Sequence, residues 1–144
     1  MKQNILVSAC LLGMHCRYNG TGALQEELEQ LKDKYNLIPV CPEIYGGLQT
    51  PRDPAERSGE KVLTAAGEDV TEYYRRGAEE TLRLKELYGC ETAILKERSP
   101  SCGYGHIYDG TFRGKFIDGN GVTAELLADN GVRILGESRI KELL

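Results

Sequence analysis

Four short, largely apolar segments that read as strands constrain this chain more than any other feature. They are Ile5 to Ala9, Leu37 to Val40, Thr92 to Leu95 and Val132 to Leu135. A largely apolar segment of this length suits a strand covered on both faces, as in a parallel sheet, rather than one with a wet face. Segments of helical spacing separate them. Leu24, Leu28 and Leu31 with Glu26, Glu27 and Glu29 between predict a helix over Ala23 to Lys34. Val70, Tyr74, Ala78, Leu82 and Leu87 form an apolar stripe that predicts the longest helix, Asp69 to Tyr88, with Asp69 or Thr71 as its start and Gly89 at its end. A third helix is expected over Gly121 to Asn130, and a short helix or tail over Ser138 to Leu144. Strands alternating with helices predict an α/β fold: a single domain over residues 1–144 with a mostly parallel, Rossmann-like sheet and helices on both faces.

Two stretches interrupt this rhythm. Ile44 to Glu60 is rich in Gly, Pro and charge and reads as a long binding loop or lid, with a short strand at Lys61 to Ala65 beside it. His106 to Phe112 reads as a strand with a turn at Asp109-Gly110, and Phe112 to Phe116 as the partner in a small hairpin.

The cysteines sit where such a sheet puts its chemistry. Open parallel sheets bind ligands beyond the carboxyl ends of their strands. Cys10 follows the first apolar run, Cys41 the second, and Cys102 lies in the Ser99-Pro100-Ser101-Cys102-Gly103 loop after the third. A fold that brings these ends together makes a thiolate trio, which is a metal or cluster site. No CxxC pair is present, which argues against a zinc ribbon or a bacterial ferredoxin motif. A cubane cluster held by three cysteines leaves one iron open to a soft sulfur ligand. Catalytic zinc with three protein ligands fits the count equally. Cys90, between a helix end and a strand, reads as a buried structural residue. Cys16, in a polar loop near Cys10, reads as a fourth ligand, a reactive thiol or a bystander.

Polar residues near these positions complete the candidate set. Glu43, two places after Cys41, is a candidate general acid or base, against a plain loop carboxylate. Ser101, beside Cys102, is a candidate for binding substrate or relaying a proton, against a turn-forming hydroxyl. Arg17, Tyr18 and Arg52, in Gly- or Pro-rich loops, are candidate substrate contacts. With two histidines, His15 and His106, and neither beside a serine nucleophile, a Ser-His-Asp hydrolase is disfavoured.

Composition narrows the class. The formal charge is -4 with Lys and Arg scattered, which leaves no basic face for long nucleic acid. No apolar run approaches the roughly 20 residues that span a bilayer. Met1-Lys2-Gln3-Asn4 leads straight into a strand, so we expect a cytoplasmic protein whose five cysteines stay reduced. Its association is expected to be monomeric or homodimeric.

Taken in order, Val-Ser-Ala-Cys-Leu-Leu-Gly (Val7 to Gly13), Cys-Arg-Tyr-Asn-Gly (Cys16 to Gly20), Cys-Pro-Glu (Cys41 to Glu43), Gly-Gly-Leu-Gln-Thr-Pro-Arg (Gly46 to Arg52), Leu-Lys-Glu-Arg-Ser-Pro-Ser-Cys-Gly (Leu95 to Gly103) and Ile-Tyr-Asp-Gly (Ile107 to Gly110) resemble the 2-thiouracil desulfurase family over nearly the whole chain. The resemblance implies a desulfidase with an oxygen-sensitive [4Fe-4S] cluster held by Cys10, Cys41 and Cys102. It implies that the open iron takes sulfur from a thiolated pyrimidine or nucleoside, turning thiouracil into uracil. It maps the family's catalytic Glu and Ser onto Glu43 and Ser101. Two other readings stay open on the residues alone: a non-catalytic iron-sulfur or zinc protein that senses metal or redox state, and a small-ligand module with structural cysteines.

Overall fold

The computed structural model describes residues 2–144. In chain order the strands are β1 (Gln3–Ser8), β2 (Tyr35–Val40), β3 (Ala55–Ser58), β4 (Lys61–Thr64), β5 (Thr92–Leu95), β6 (His106–Tyr108), β7 (Phe116–Asp118) and β8 (Arg133–Gly136). The helices are α1 (Leu28–Leu31), α2 (Pro42–Tyr45), α3 (Thr71–Tyr88) and α4 (Val122–Asp129), with 3-10 turns over Ala9–Leu12 and Glu137–Leu143.

The four apolar runs are the four strands of one parallel sheet, in the order β2-β1-β5-β8. The central strands β1 and β5 are covered on both faces, which is why their runs are continuous, while the edge strands expose Asn36 and Pro39 of β2 and Arg133 of β8. Ile5, Val7, Ile94 and Leu135 point to one face and pack on Leu28, Leu31, Ile140 and Leu143. Leu6, Ala93, Leu95 and Ile134 point to the other, against Ala124 and Leu127 of α4 and Leu82 of α3. Each fully buried Leu or Ile contributes about 1.5–3 kcal/mol. The chain leaves β1 for β2 on one side and returns for β5 on the other, so the switch point lies at β1. β3 pairs antiparallel with β4, and β6 with β7. Where one small hairpin was expected, there are two. Among the described residues, no helix is long and apolar enough to cross a membrane.

Three segments differ from the sequence reading. The helix expected over Ala23 to Lys34 shrinks to Leu28–Leu31. Its first turns are drawn onto the Cys10 turn instead, with Ala23 N–H donating to the Cys10 carbonyl at 2.8 Å and Gln25 N–H to that of Leu11 at 2.9 Å. The stretch Ile44 to Glu60 is not structureless: α2 begins just before it and β3 lies within it. The second hairpin uses Phe116–Asp118 as its returning strand, so residues 109–115 are loop where Phe112 to Phe116 was expected to pair.

Candidate active site

Parallel register sets the site. Ser8 lies opposite Val40, so the chain leaves β1 and β2 at the same level and delivers Cys10 and Cys41 to one rim. β5 ends beside them, and the segment after it brings back Cys102. There, Arg98 is held at φ 70, a left-handed conformation that costs a non-glycine residue on the order of 1 kcal/mol. All three cysteines line one cavity of about 400 Å³ at the carboxyl edge of the sheet. Cys16, Arg17, Tyr18, Glu43, Arg52, Tyr74 and Ser99 line it too.

The sulfurs sit in a largely buried setting of mixed charge, with Lys96 and Arg17 near Cys10 and the Glu43 carboxylate near Cys41 and Cys102. Burial lifts Cys102, partly offset by a hydrogen bond with the Ser8 hydroxyl, which also accepts from Lys96 N–H at 2.9 Å. Burial lifts Cys10 to about 11, against the pull of Lys96 and Arg17. Cys41 moves the other way, because the Cys16 thiol hydrogen-bonds to its sulfur; the same bond, with burial, pushes Cys16 up. Thiols lifted by burial stay protonated until something replaces the proton, and a metal does so because it binds the thiolate. Cys90 belongs to the buried core cluster on the α4 side of the sheet, and neither it nor His15 nor His106 is among the cavity's lining residues.

Glu43 is fixed from two sides. Its Oε1 accepts from Arg52 Nε at 3.0 Å and from the Tyr74 hydroxyl at 2.9 Å. The rest of the Arg52 guanidinium is occupied by protein acceptors: the Cys16 carbonyl at 3.0 Å, the Gln49 carbonyl at 3.2 Å and Thr50 Oγ1 at 3.0 Å. Arg52 therefore ties its own loop at Gln49-Thr50, the Cys16 loop and the carboxylate together, which leaves it few donors for a substrate. Arg17 and Tyr18 line the same cavity without such ties; Arg17 makes one long side-chain bond, to Thr21 Oγ1 at 3.4 Å.

Ser101 lies elsewhere. It is 1% exposed, its hydroxyl pairs with Thr123 Oγ1 at 2.9 Å, and it is not among the cavity's lining residues. Ser99 lines the cavity instead. Its Oγ accepts from the N–H groups of Ser101 at 3.1 Å and Cys102 at 3.0 Å, so its own proton is free to donate. The sequence reading missed Ser8, Tyr74 and Ser99. For Ser99 a signal existed: a serine two and three places before backbone N–H groups in a Pro-containing turn is a common capping arrangement.

On the far side the second hairpin contributes Tyr108 to the cavity lining. Tyr108 packs on Phe116 with ring centroids 4.8 Å apart, and the Arg98 guanidinium lies 5.0 Å from the Phe116 ring centre. Glu56 holds the loop down, its Oε1 accepting from Gly110 N–H at 3.0 Å and Phe112 N–H at 3.1 Å.

The donor set can be tested against the two metal readings. Among the described residues, no three His, Cys, Asp or Glu side chains are grouped tightly enough to hold a single metal ion. A tetrahedral zinc site requires such a group. Three soft thiolate donors set around a roomy cavity, with cationic side chains near them, fit a larger iron-sulfur centre better.

Comparison with known proteins places the chain in a family. YbbK of Bacillus subtilis (strain 168), described as uncharacterized, is 47% identical, over 97% of this chain and 99% of its own length. A solved structure described as the [4Fe-4S]-dependent thiouracil desulfidase TudS is 46% identical, covers 99% of this chain and 95% of its own, and superposes with a TM-score of 0.93. The family model described as 2-thiouracil desulfurase matches residues 5–139. The chain belongs to the 2-thiouracil desulfurase family.

Proposed function

We propose that the protein is a [4Fe-4S]-dependent desulfidase that converts a thiolated pyrimidine and water into the oxo-pyrimidine and hydrogen sulfide. One observation carries this reading: Cys10, Cys41 and Cys102, from three separate strand ends, line a single cavity together with Glu43. The family membership and the description of the TudS structure support it.

Cys10, Cys41 and Cys102 would hold the cluster. When bound, the cluster supplies an iron without a protein ligand, a Lewis acid with affinity for the soft thiocarbonyl sulfur. The chain's own residues do the rest. Glu43 has Oε1 occupied by Arg52 and Tyr74, so Oε2 is the oxygen left to take a proton from water as it adds to the ring carbon. The carbon–sulfur bond then breaks, the carbonyl forms, and sulfur departs as hydrosulfide. Ser99 has a proton free to donate, and its hydroxyl serves to hold the ring's other carbonyl, while the proton taken up by Glu43 leaves with the sulfur as hydrogen sulfide. Tyr18, 40% exposed at the cavity wall, offers a ring face to the pyrimidine. Arg17 beside it offers unoccupied donors.

The test is anaerobic reconstitution with ferrous iron and sulfide, then incubation with 2-thiouracil and 4-thiouracil. Uracil and sulfide released in equal amounts are expected. A chain that takes up about four irons yet forms no uracil from any thiolated pyrimidine would overturn the proposal.

A further inference from the structure

The helix α3 carries a second feature that its sequence pattern conceals. Tyr74 belongs to its apolar stripe and is 2% exposed, which marks it as a core residue. Its hydroxyl nevertheless leaves the core and meets Glu43 Oε1 at 2.9 Å, 31 positions back along the chain. The contact requires α2 and α3 to approach backbone to backbone. Two glycines permit that. A Cβ on Gly77 would run into the Pro42 carbonyl, and one on Gly46 into the Tyr73 carbonyl. Gly77 lies about one turn from Tyr74, so the seat for Pro42 and the hydroxyl for Glu43 share one stretch of helix. The phenol's proton stays in place because burial and the neighbouring Glu43 charge both push its pKa up. Tyr74 is therefore a fixed donor.

We infer that Tyr74 is a positioning residue: with Arg52 it holds Oε1 of Glu43 and thereby aims Oε2 into the cavity. Two donors on one carboxylate oxygen fix the plane of the group, where one would leave it free to swing. This rests on the desulfidase reading, in which Glu43 handles a proton. Geometry of that kind carries large rate effects, since a displacement of about 1 Å costs on the order of 100-fold. The role differs from that of Arg52, which also anchors the Cys16 loop and the Gln49-Thr50 segment. Removing the Tyr74 hydroxyl alone perturbs one bond.

The experiment compares the parent with Tyr74→Phe, both purified and reconstituted without oxygen. Two properties are measured: the crystallographic order of the Glu43 carboxylate, and kcat and KM for thiouracil alongside bound iron. We expect Glu43 in a single rotamer in the parent and in more than one in Tyr74→Phe. We expect kcat to fall roughly 10- to 100-fold, KM to stay within about twofold, and iron content to be unchanged. An ordered, unmoved Glu43 in the variant overturns the inference, as does a kcat within about twofold of the parent. Loss of iron or of folded protein overturns it as well, because Tyr74 would then serve the scaffold. A raised KM with intact kcat overturns it by making Tyr74 a substrate contact. If the parent itself releases no uracil, the desulfidase reading fails, while the rotamer of Glu43 still decides the positioning claim.

Discussion

The two walls of the cavity are built on opposite plans. The wall of α2 and α3 is tied down almost atom by atom: two glycines let backbones touch, and Tyr74 and Arg52 converge on Glu43. The side to which the second hairpin lends Tyr108 is sparse. Phe116 and Ile117 are 44% and 46% exposed, and the loop between its strands is held chiefly by the Glu56 carboxylate. The difference separates two tasks. A group that moves a proton must be fixed in direction, whereas a surface that admits and releases a ring must yield. Rate should therefore be sensitive on the first wall and affinity on the second.

The largest expected effect lies at the base both walls share. Cys102→Ala removes one thiolate of the trio, and we expect the anaerobically reconstituted variant to retain little iron and little acid-labile sulfide. Next, Gly77→Ala strikes the fixed wall. Helix propensity alone predicts that Ala at an interior helix position stabilises by about 0.5–1 kcal/mol. The collision with the Pro42 carbonyl predicts the reverse, a loss of about 1–3 kcal/mol, measurable by urea unfolding, with a fall in kcat. A more stable Gly77→Ala protein would break the contrast between the walls. On the yielding wall, Glu56→Ala frees the hairpin loop. We expect KM to rise about 3- to 10-fold, corresponding to part of a charge-assisted hydrogen bond, with kcat held and faster amide exchange at Gly110 and Phe112. The smallest effect is at Ser101. Ser101→Ala strands the Thr123 hydroxyl and costs about 1 kcal/mol of stability, with kcat unchanged in the same assay.

Much of this was readable in the sequence, for definite physical reasons. The sheet was legible because strands covered on both faces are written as unbroken apolar runs, as in Ile5-Leu6-Val7 and Ala93-Ile94-Leu95, where every side chain is 0–1% exposed. Cys10, Cys41 and Cys102 were legible because parallel strands all deliver their carboxyl ends to one rim. The helix at Ala23 to Lys34 was overextended because leucine spacing says nothing about a tertiary competitor: the carbonyls of Cys10 and Leu11 capture its early N–H groups. α2 is one turn long, too short for any periodicity, and only Pro42 at its first position marked it. Ser99 and Ser101 are equal as residue types, and the turn between them decides which one faces the cavity. Tyr74 and Gly77 carried no local sign at all, since a Tyr in an apolar stripe and a small residue beside it read as packing.

The central claim is that three strand-end cysteines share one iron-sulfur centre and leave part of it unclaimed by protein. Anomalous diffraction at the iron edge, from crystals of the reconstituted protein grown without oxygen, tests it most directly. The account predicts a four-iron centre bonded to the sulfurs of Cys10, Cys41 and Cys102, with Cys16 unbound and one iron lacking a protein ligand. A single metal ion, or a fourth iron bonded to the Cys16 sulfur, would contradict it.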